Sequence, residues 1–321
     1  MPLRRHLLAA AVAATLTGGP ALAAFPEKSI TIVVPTAAGG ANDAMARTIG
    51  QGLSTALKQP VIVENKAGAG GALAAEFVAK AAPDGYTLML GYIATHAMNP
   101  ALQKLRYDPV KDFEAVGLVG YSPVLMVTNP GVKAANAKEL VALLKGAPDK
   151  YSYASAGNGT APHFAAELFR MSTGTSVLHV PYKGSAPAVT DTIGGQTQIM
   201  FPSLFTAIPY VKSGKLRAMG VAGNKRSALL PDVPTLKEQG IADVDVSQWY
   251  AIFAPAKTPK AVIDQLNKAL NAVLTDKAVE KRLEDHGADV ETSTPEQLKA
   301  FVQQEQVKWK KVVDAAKLKA D

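Results

Sequence analysis

A short run of strand-forming residues that ends in a glycine turn and opens a helix recurs along this chain, and nothing else in the sequence constrains the fold as strongly. Ile30 to Val34 is almost wholly apolar, as in a strand covered on both faces. Pro35 ends it, Ala37-Ala38-Gly39-Gly40 turns, and Met45, Ile49, Leu53 and Leu57 then repeat every four residues on one helical face. Val61 to Val63 predicts a second strand, Gly68 to Gly71 a second turn, and an Ala-rich helix runs on to Ala81. Pro83-Asp84-Gly85 leads into a third strand at Tyr86 to Leu90. This βαβαβ order builds a doubly wound parallel sheet. A second α/β module follows, with strands predicted over Val124–Val127, Tyr151–Ser155, Val177–Val180, Gln198–Phe201 and Leu216–Val221. Asn136 and Glu139 cap a helix that ends near Lys145. No flexible linker separates the modules, so short extended segments must cross between them, near Pro123 and near Ser247-Gln248-Trp249, with Trp249 packing at the hinge. Thr258-Pro259 and the Thr294-Pro295-Glu296-Gln297 capping box open two structural helices that pack back on the first module.

With 321 residues, 48% apolar and 19% charged, the chain suits two globular domains. It has no Cys, and its five His form no H-E-x-x-H pair. Disulfides, thiolate zinc, Fe–S clusters and a cysteine nucleophile are excluded, and no metal or cofactor is expected. Arg4 and Arg5, the apolar run Leu7 to Leu16 and Ala21-Leu22-Ala23 read as an export signal cleaved near Ala23. The run is too short to span a bilayer, which needs about 20 residues, and no Cys follows it to carry a lipid. Removing residues 1–23 lowers the formal charge from +7 to +5. The lysines are dispersed without interleaved aromatics, so nucleic acid is not a partner, while a mildly positive field favours small anions.

Four turns share one chemistry: Thr36 to Asp43, Lys66 to Gly71, Ser155 to Thr160, and Pro181 to Ser185. Glycines let backbone N–H groups converge, and each helix start adds unpaired donors at the carboxyl edge of the sheet. One such loop is an ordinary turn; four across two modules read as a cleft for an anion. Nucleotide motifs fail: Leu73 stands where G-x-G-x-x-G needs glycine, and no P-loop, G-x-S-x-G or S-x-x-K exists. Pro109 spoils the Tyr107/Lys111 pair as a dehydrogenase motif. Asp43 suits a cap in the first helical turn. His96, after Thr95, and His163 could donate to an anion or hold the structure. Tyr92, Tyr182 and Phe201 follow strand ends, where rings wall a pocket, though Phe201 suits a core equally.

The segments Val-Pro-x-x-Ala-Gly-Gly-x-x-Asp (34–43), Glu-Asn-Lys-x-Gly-Ala-Gly-Gly (64–71), Pro-Asp-Gly-Tyr-Thr-Leu (83–88), Thr-His-Ala-Met-Asn-Pro (95–100), Tyr-Asp-Pro-Val-Lys-Asp-Phe (107–113), Ser-Ala-Gly-Asn-Gly-Thr-Ala-Pro-His (155–163) and Val-Pro-Tyr-Lys-Gly-Ser-Ala-Pro-Ala (180–188) together resemble the Bug family. These are periplasmic solute receptors of tripartite tricarboxylate transporters. The resemblance implies a type II periplasmic-binding-protein fold: two doubly wound α/β domains joined by two crossover strands around a ligand cleft. Residues 24–123 plus 248–321 would form one domain and 124–247 the other. It implies a monomeric, non-catalytic receptor for a small carboxylate, handing its load to membrane components of the transporter. The family grips one carboxylate from loops matching 36–43, 69–71, 155–160 and 181–184. With the residues read above, this singles out Thr36, Ala38, Gly39, Gly40, Asn42, Asp43, Ala69, Gly70, Gly71, Tyr92, Thr95, His96, Ser155, Gly157, Asn158, Gly159, Thr160, His163, Pro181, Tyr182, Lys183, Phe201, Pro202 and Ser203. Two departures bear on the ligand. Many members carry Asp just after the Gln198–Phe201 strand, where this chain has Phe201-Pro202-Ser203, which points to a mono- or dicarboxylate without an amino group. Thr36 stands where Phe is common, so the cleft floor is roomier or more polar. Two other readings stay open: a receptor presenting its ligand to a membrane histidine kinase, and a secreted hydrolase using Ser155 and His163.

Overall fold

The computed structural model describes residues 25–318, so the expected export signal lies outside the described residues. Strands β1 (Ile30–Val34), β2 (Val61–Asn65) and β3 (Thr87–Tyr92) alternate with helices α1 (Ala41–Leu57) and α2 (Ala72–Ala79). β1 pairs in parallel with both neighbours. Met45, Ile49, Leu53 and Leu57 of α1 are all buried, as their spacing predicts. A π-helical turn over Ala94–Met98 runs straight into the short α3 (Asn99–Leu102).

The chain then forms β4 (Phe113–Thr128), a 16-residue strand that serves both halves of the molecule. Beyond it come α4 (Ala137–Lys145), β5 (Ser152–Ser155), α5 (Ala161–Thr173), β6 (Leu178–Pro181), α6 (Ser185–Ile193), β7 (Ile199–Met200), α7 (Leu204–Lys212) and β8 (Arg217–Ala222). β9 (Ser247–Pro255) returns antiparallel to β4, and α8 (Lys260–Leu274), α9 (Lys277–Glu284), β10 (Asp289–Val290) and α10 (Pro295–Ala316) follow.

One mixed sheet results, with the order β2-β1-β3-β9-β4-β7-β5-β6, and with β8 and β10 pairing along β4. The two parallel modules are therefore not separate sheets: β4 runs through both, pairing β9 from Phe113↔Pro255 to Pro123↔Ser247 and then β7 and β8 over Val124–Thr128. That last pair lies where the crossings are expected. The sequence pattern shows only the Val124–Val127 end of β4, because Gly117, Gly120 and Pro123 break its apolar run. Bulges flank both glycines, and a Cβ on Gly120 would meet the Asp289 carbonyl at 2.2 Å.

Caps follow the sequence closely. Asn136 accepts from the Glu139 N–H at 2.9 Å, and the Thr294–Gln297 capping box is complete. The Thr258 expectation shifts by one residue: Pro259 is the N-cap, and the Thr258 hydroxyl donates to the Pro255 carbonyl at 2.7 Å. Helix α10 packs on β4 and α3, as expected, and Trp309 also meets Phe164 of α5 edge-on at 5.4 Å. No helix among the described residues is long and apolar enough to cross a membrane.

Candidate functional site

Three of the four glycine turns line one cavity of about 340 Å³, formed by Pro35, Gly68–Gly71, Gln103, Ala156–Asn158 and Pro181–Lys183. None of Thr36 to Asp43 is among the lining residues; the first turn lies against the fourth. Gly40 is the N-cap of α1 and has no side chain with which to cap. Asp43 instead accepts the Gly39 N–H and the Arg47 Nε–H, both at 3.0 Å. Burial pushes the Asp43 carboxyl up, but Arg47, the Gly39 amide and Asn65 together hold it below the usual carboxylate range. Asn65 also donates to the Thr36 carbonyl at 3.0 Å, so Asp43 shapes the loop, as its cap position suggests. Asn42 Nδ2 is buried and finds no acceptor. Ala38 is exposed, and Gly39 and Gly40 abut Ala186 at the start of α6.

The second turn is the most tightly built. Gly68, Ala69, Gly70 and Gly71 all have positive φ, at 141°, 49°, 60° and 97°. The Gly70 carbonyl is held from behind by Asn99 Nδ2 at 2.9 Å and the Tyr92 hydroxyl at 3.3 Å. Thr95 backs Gly71, whose added Cβ would lie 2.8 Å from its methyl group. Tyr92 and Thr95 therefore support the loop from below.

In the third turn, the Ser155 hydroxyl accepts from the Gly157 N–H at 3.1 Å and lies 2.7 Å from His179 Nε2. The Gly159 N–H donates to His163 Nδ1 at 3.2 Å, and the Thr160 hydroxyl donates to the Gly157 carbonyl at 2.6 Å. His163 stacks on His179 at 4.7 Å, and His179 on Tyr153 at 4.6 Å. The expected donors Gly157 and Gly159 are thus already occupied within the loop. Ser155 is sealed from solvent and pairs with His179 rather than His163, which removes the pairing on which the hydrolase reading rested. In the fourth turn the Tyr182 hydroxyl donates to Asp191 at 2.6 Å, and burial followed by this contact raises it to about 12. The Lys183 carbonyl accepts the Ala37 N–H at 3.1 Å, joining the two halves across the cleft.

Four sequence candidates lie elsewhere. Phe201 is buried against Phe169, the Pro202 carbonyl accepts from the Leu125 N–H, and Ser203 caps α7. His96 is a core residue: it stacks on Phe253 at 3.8 Å and shares a 2.9 Å hydrogen bond with Thr95. Burial lowers its pKa to about 3. The unfolded chain binds that proton near pH 6.5 and the folded chain does not, so stability falls as pH drops below about 6.5. The expected slope from this residue is about 1.4 kcal/mol per pH unit towards pH 3, and His96→Leu should remove it, as measured by urea unfolding at stepped pH.

A larger cavity of about 660 Å³ opens beside the crossing strands, between the loop after β8 and the end of α9. It receives none of the glycine turns, and no buried polar atom without a partner belongs to its lining. The smaller cavity is the candidate site.

Residues 45–318 match the tripartite tricarboxylate transporter family receptors. The chain belongs to this family. It is 36% identical to protein BugT of Bordetella pertussis, over 92% of both chains. A solved periplasmic transporter is 40% identical, with a TM-score of 0.90 over 93% of this chain and all of that one. MatC from Rhodopseudomonas palustris, solved with bound malate, is 36% identical, with a TM-score of 0.87 over 90% of this chain and 100% of that one. A second R. palustris protein, solved with adipate, is 31% identical, with a TM-score of 0.88 over 91% of this chain and 98% of that one. The Bug-type receptor fold, two α/β domains around a cleft, is the fold of this chain.

Within that frame, sequence reasoning passed over Asn99 and Gln103. Asn99 is fully buried, holds Gly70 and also packs against Gly159. Gln103 lines the cavity and reaches Asn99 Oδ1 at 3.4 Å. Asn99 opens the short α3 and Gln103 caps its end, where the sequence shows only a polar residue before Pro100 and another beyond it.

Proposed function

We propose that this receptor captures a small mono- or dicarboxylate without an amino group in the 340 Å³ cleft and delivers it to the membrane components of a tripartite tricarboxylate-type transporter. It works in the periplasm as a monomer and carries out no chemistry of its own. One observation carries the reading: Lys183 is the only charged residue lining the cavity, among backbone turns and uncharged side chains. An anion gains from that lining, whereas an ammonium group meets a like charge and no acid. The neighbours solved with malate and adipate support the same ligand class. Residues 24–123 with 248–321, and residues 124–247, serve as the two bodies that close on the ligand, with Pro123 and Ser247 at the crossing.

Thermal unfolding of ligand-free protein against a panel of carboxylates tests this. A ligand at 100 times its dissociation constant should add about 2.7 kcal/mol, a rise of roughly four to ten degrees in melting temperature for domains of this size. Amino acids should give no shift. A panel in which only amino acids stabilise, or in which nothing does, would overturn the proposal.

A further inference from the structure

We propose, resting on the carboxylate reading above, that Lys104 and Arg106 hold the second carboxylate of a dicarboxylate whose first carboxylate sits among the glycine turns. An open cavity of about 560 Å³ adjoins the 340 Å³ cleft, and Gln103 lines both. Lys104 and Arg106 line the outer cavity, on the segment that leaves α3 directly after Gln103. The boundary between the two cavities runs past the Gln103 side chain, whose amide is tied by one long contact, 3.4 Å to Asn99 Oδ1.

The charges divide in the same way. Both Lys104 and Arg106 are exposed, and neither has a hydrogen-bond or ion-pair partner for its side chain among the described residues. The acids that share the outer cavity are committed to their own turn. Asp108 accepts the Val110 and Lys111 N–H groups at 2.9 Å and pairs with Lys111 at 3.4 Å, and Asp112 accepts the Asp108 N–H at 2.7 Å. The inner cleft offers Lys183 as its one cation, which matches one carboxylate. A second carboxylate kept inside would share that cation, whereas one carried past Gln103 meets an ammonium and a guanidinium fork of its own. A general positive field would favour every anion alike. A second contact favours only ligands that carry a second carboxylate and are long enough to bring it there.

Titration calorimetry on ligand-free protein with matched pairs tests the proposal: butanoate and succinate, hexanoate and adipate, octanoate and suberate. In the pair that spans the two cavities, the dicarboxylate should bind at least about tenfold more tightly. The double substitution Lys104→Gln, Arg106→Gln should cut that preference to within about threefold and leave the monocarboxylate within about twofold of its parent affinity. The two single substitutions serve the same comparison should the double variant not fold. A parent protein without a dicarboxylate preference, a preference that survives the substitutions, or equal losses for both members of each pair would overturn the role of Lys104 and Arg106. Binding of no carboxylate at all would instead overturn the reading beneath it, so the two failures are distinguishable.

Discussion

Gly70→Ala is expected to abolish tight ligand binding while leaving a folded protein. Gly70 lies on the β1–β3 half of the molecule with φ 60°, and a Cβ there would stand 2.3 Å from the Asn158 carbonyl oxygen on the β5 half. That oxygen belongs to the backbone and cannot rotate away. The added methyl group therefore holds the two halves apart in the region where the four turns meet. Alanine in the left-handed region adds a local cost of about 1–2 kcal/mol, which most folded domains tolerate. Losing the contacts of one half is larger. Two charge-assisted hydrogen bonds at about 1.5–3 kcal/mol each amount to a drop of roughly a hundredfold or more in affinity. Calorimetry with whichever carboxylate stabilises the parent protein should show that loss, and circular dichroism should be unchanged. Affinity within threefold of the parent would mean that the cleft need not close over this turn.

The same crowding explains why glycine recurs on both sides of the cleft. Gly157 lies 3.8 Å from the backbone of Gly70, measured from its added Cβ, and an added Cβ on Gly184 would stand 3.0 Å from the Ala37 nitrogen. Here the two halves meet backbone against backbone, and the Ala37 N–H donates to the Lys183 carbonyl. A ligand held between such surfaces is enclosed by groups that need little reorganisation, which favours affinity by limiting the ordering cost.

The glycine turns were legible because their signal is local: a strand, a breaker and a helix start lie within about a dozen residues. The buried face of α1 and the caps at Asn136 and Thr294 were legible for the same reason. What the turns do with their amide groups was not. The donation of the Gly157 and Gly159 N–H groups to Ser155 and His163 depends on loop torsions that composition does not show. His96 illustrates the converse. A histidine after a threonine near a strand end has the look of an anion donor, yet its surroundings of Phe113, Phe253 and Trp249 come from strands distant in sequence. Asn99 was missed because its partner Gly70 is 29 residues away and its neighbour Gly159 lies across the cleft. Of β4, only the end without glycine and proline breaks was readable.

Glu305→Leu should be among the most destabilising single changes in the molecule. The Glu305 carboxylate lies nine-tenths buried on α10 and accepts from the indole N–H groups of Trp249 at 2.9 Å and Trp309 at 3.0 Å. Leucine would strand both donors away from water, at about 1–3 kcal/mol each, for an expected loss of roughly 2–6 kcal/mol. Glu305→Gln keeps an acceptor and should cost far less. The position matters beyond its own contacts. Trp249 belongs to the crossing strand β9 and packs on Phe301, whereas Trp309 reaches Phe164 on α5, the helix that begins at the cleft. One carboxylate thus ties the C-terminal helix to β9 and, through Trp309, to α5. These are the only two tryptophans in the chain, so their fluorescence reports directly on this cluster during urea unfolding. A Glu305→Leu midpoint and slope that give a loss under 1 kcal/mol would show that the indoles find other acceptors. A loss of several kcal/mol, largely restored in Glu305→Gln, would show that the two donors need this acceptor to stay buried.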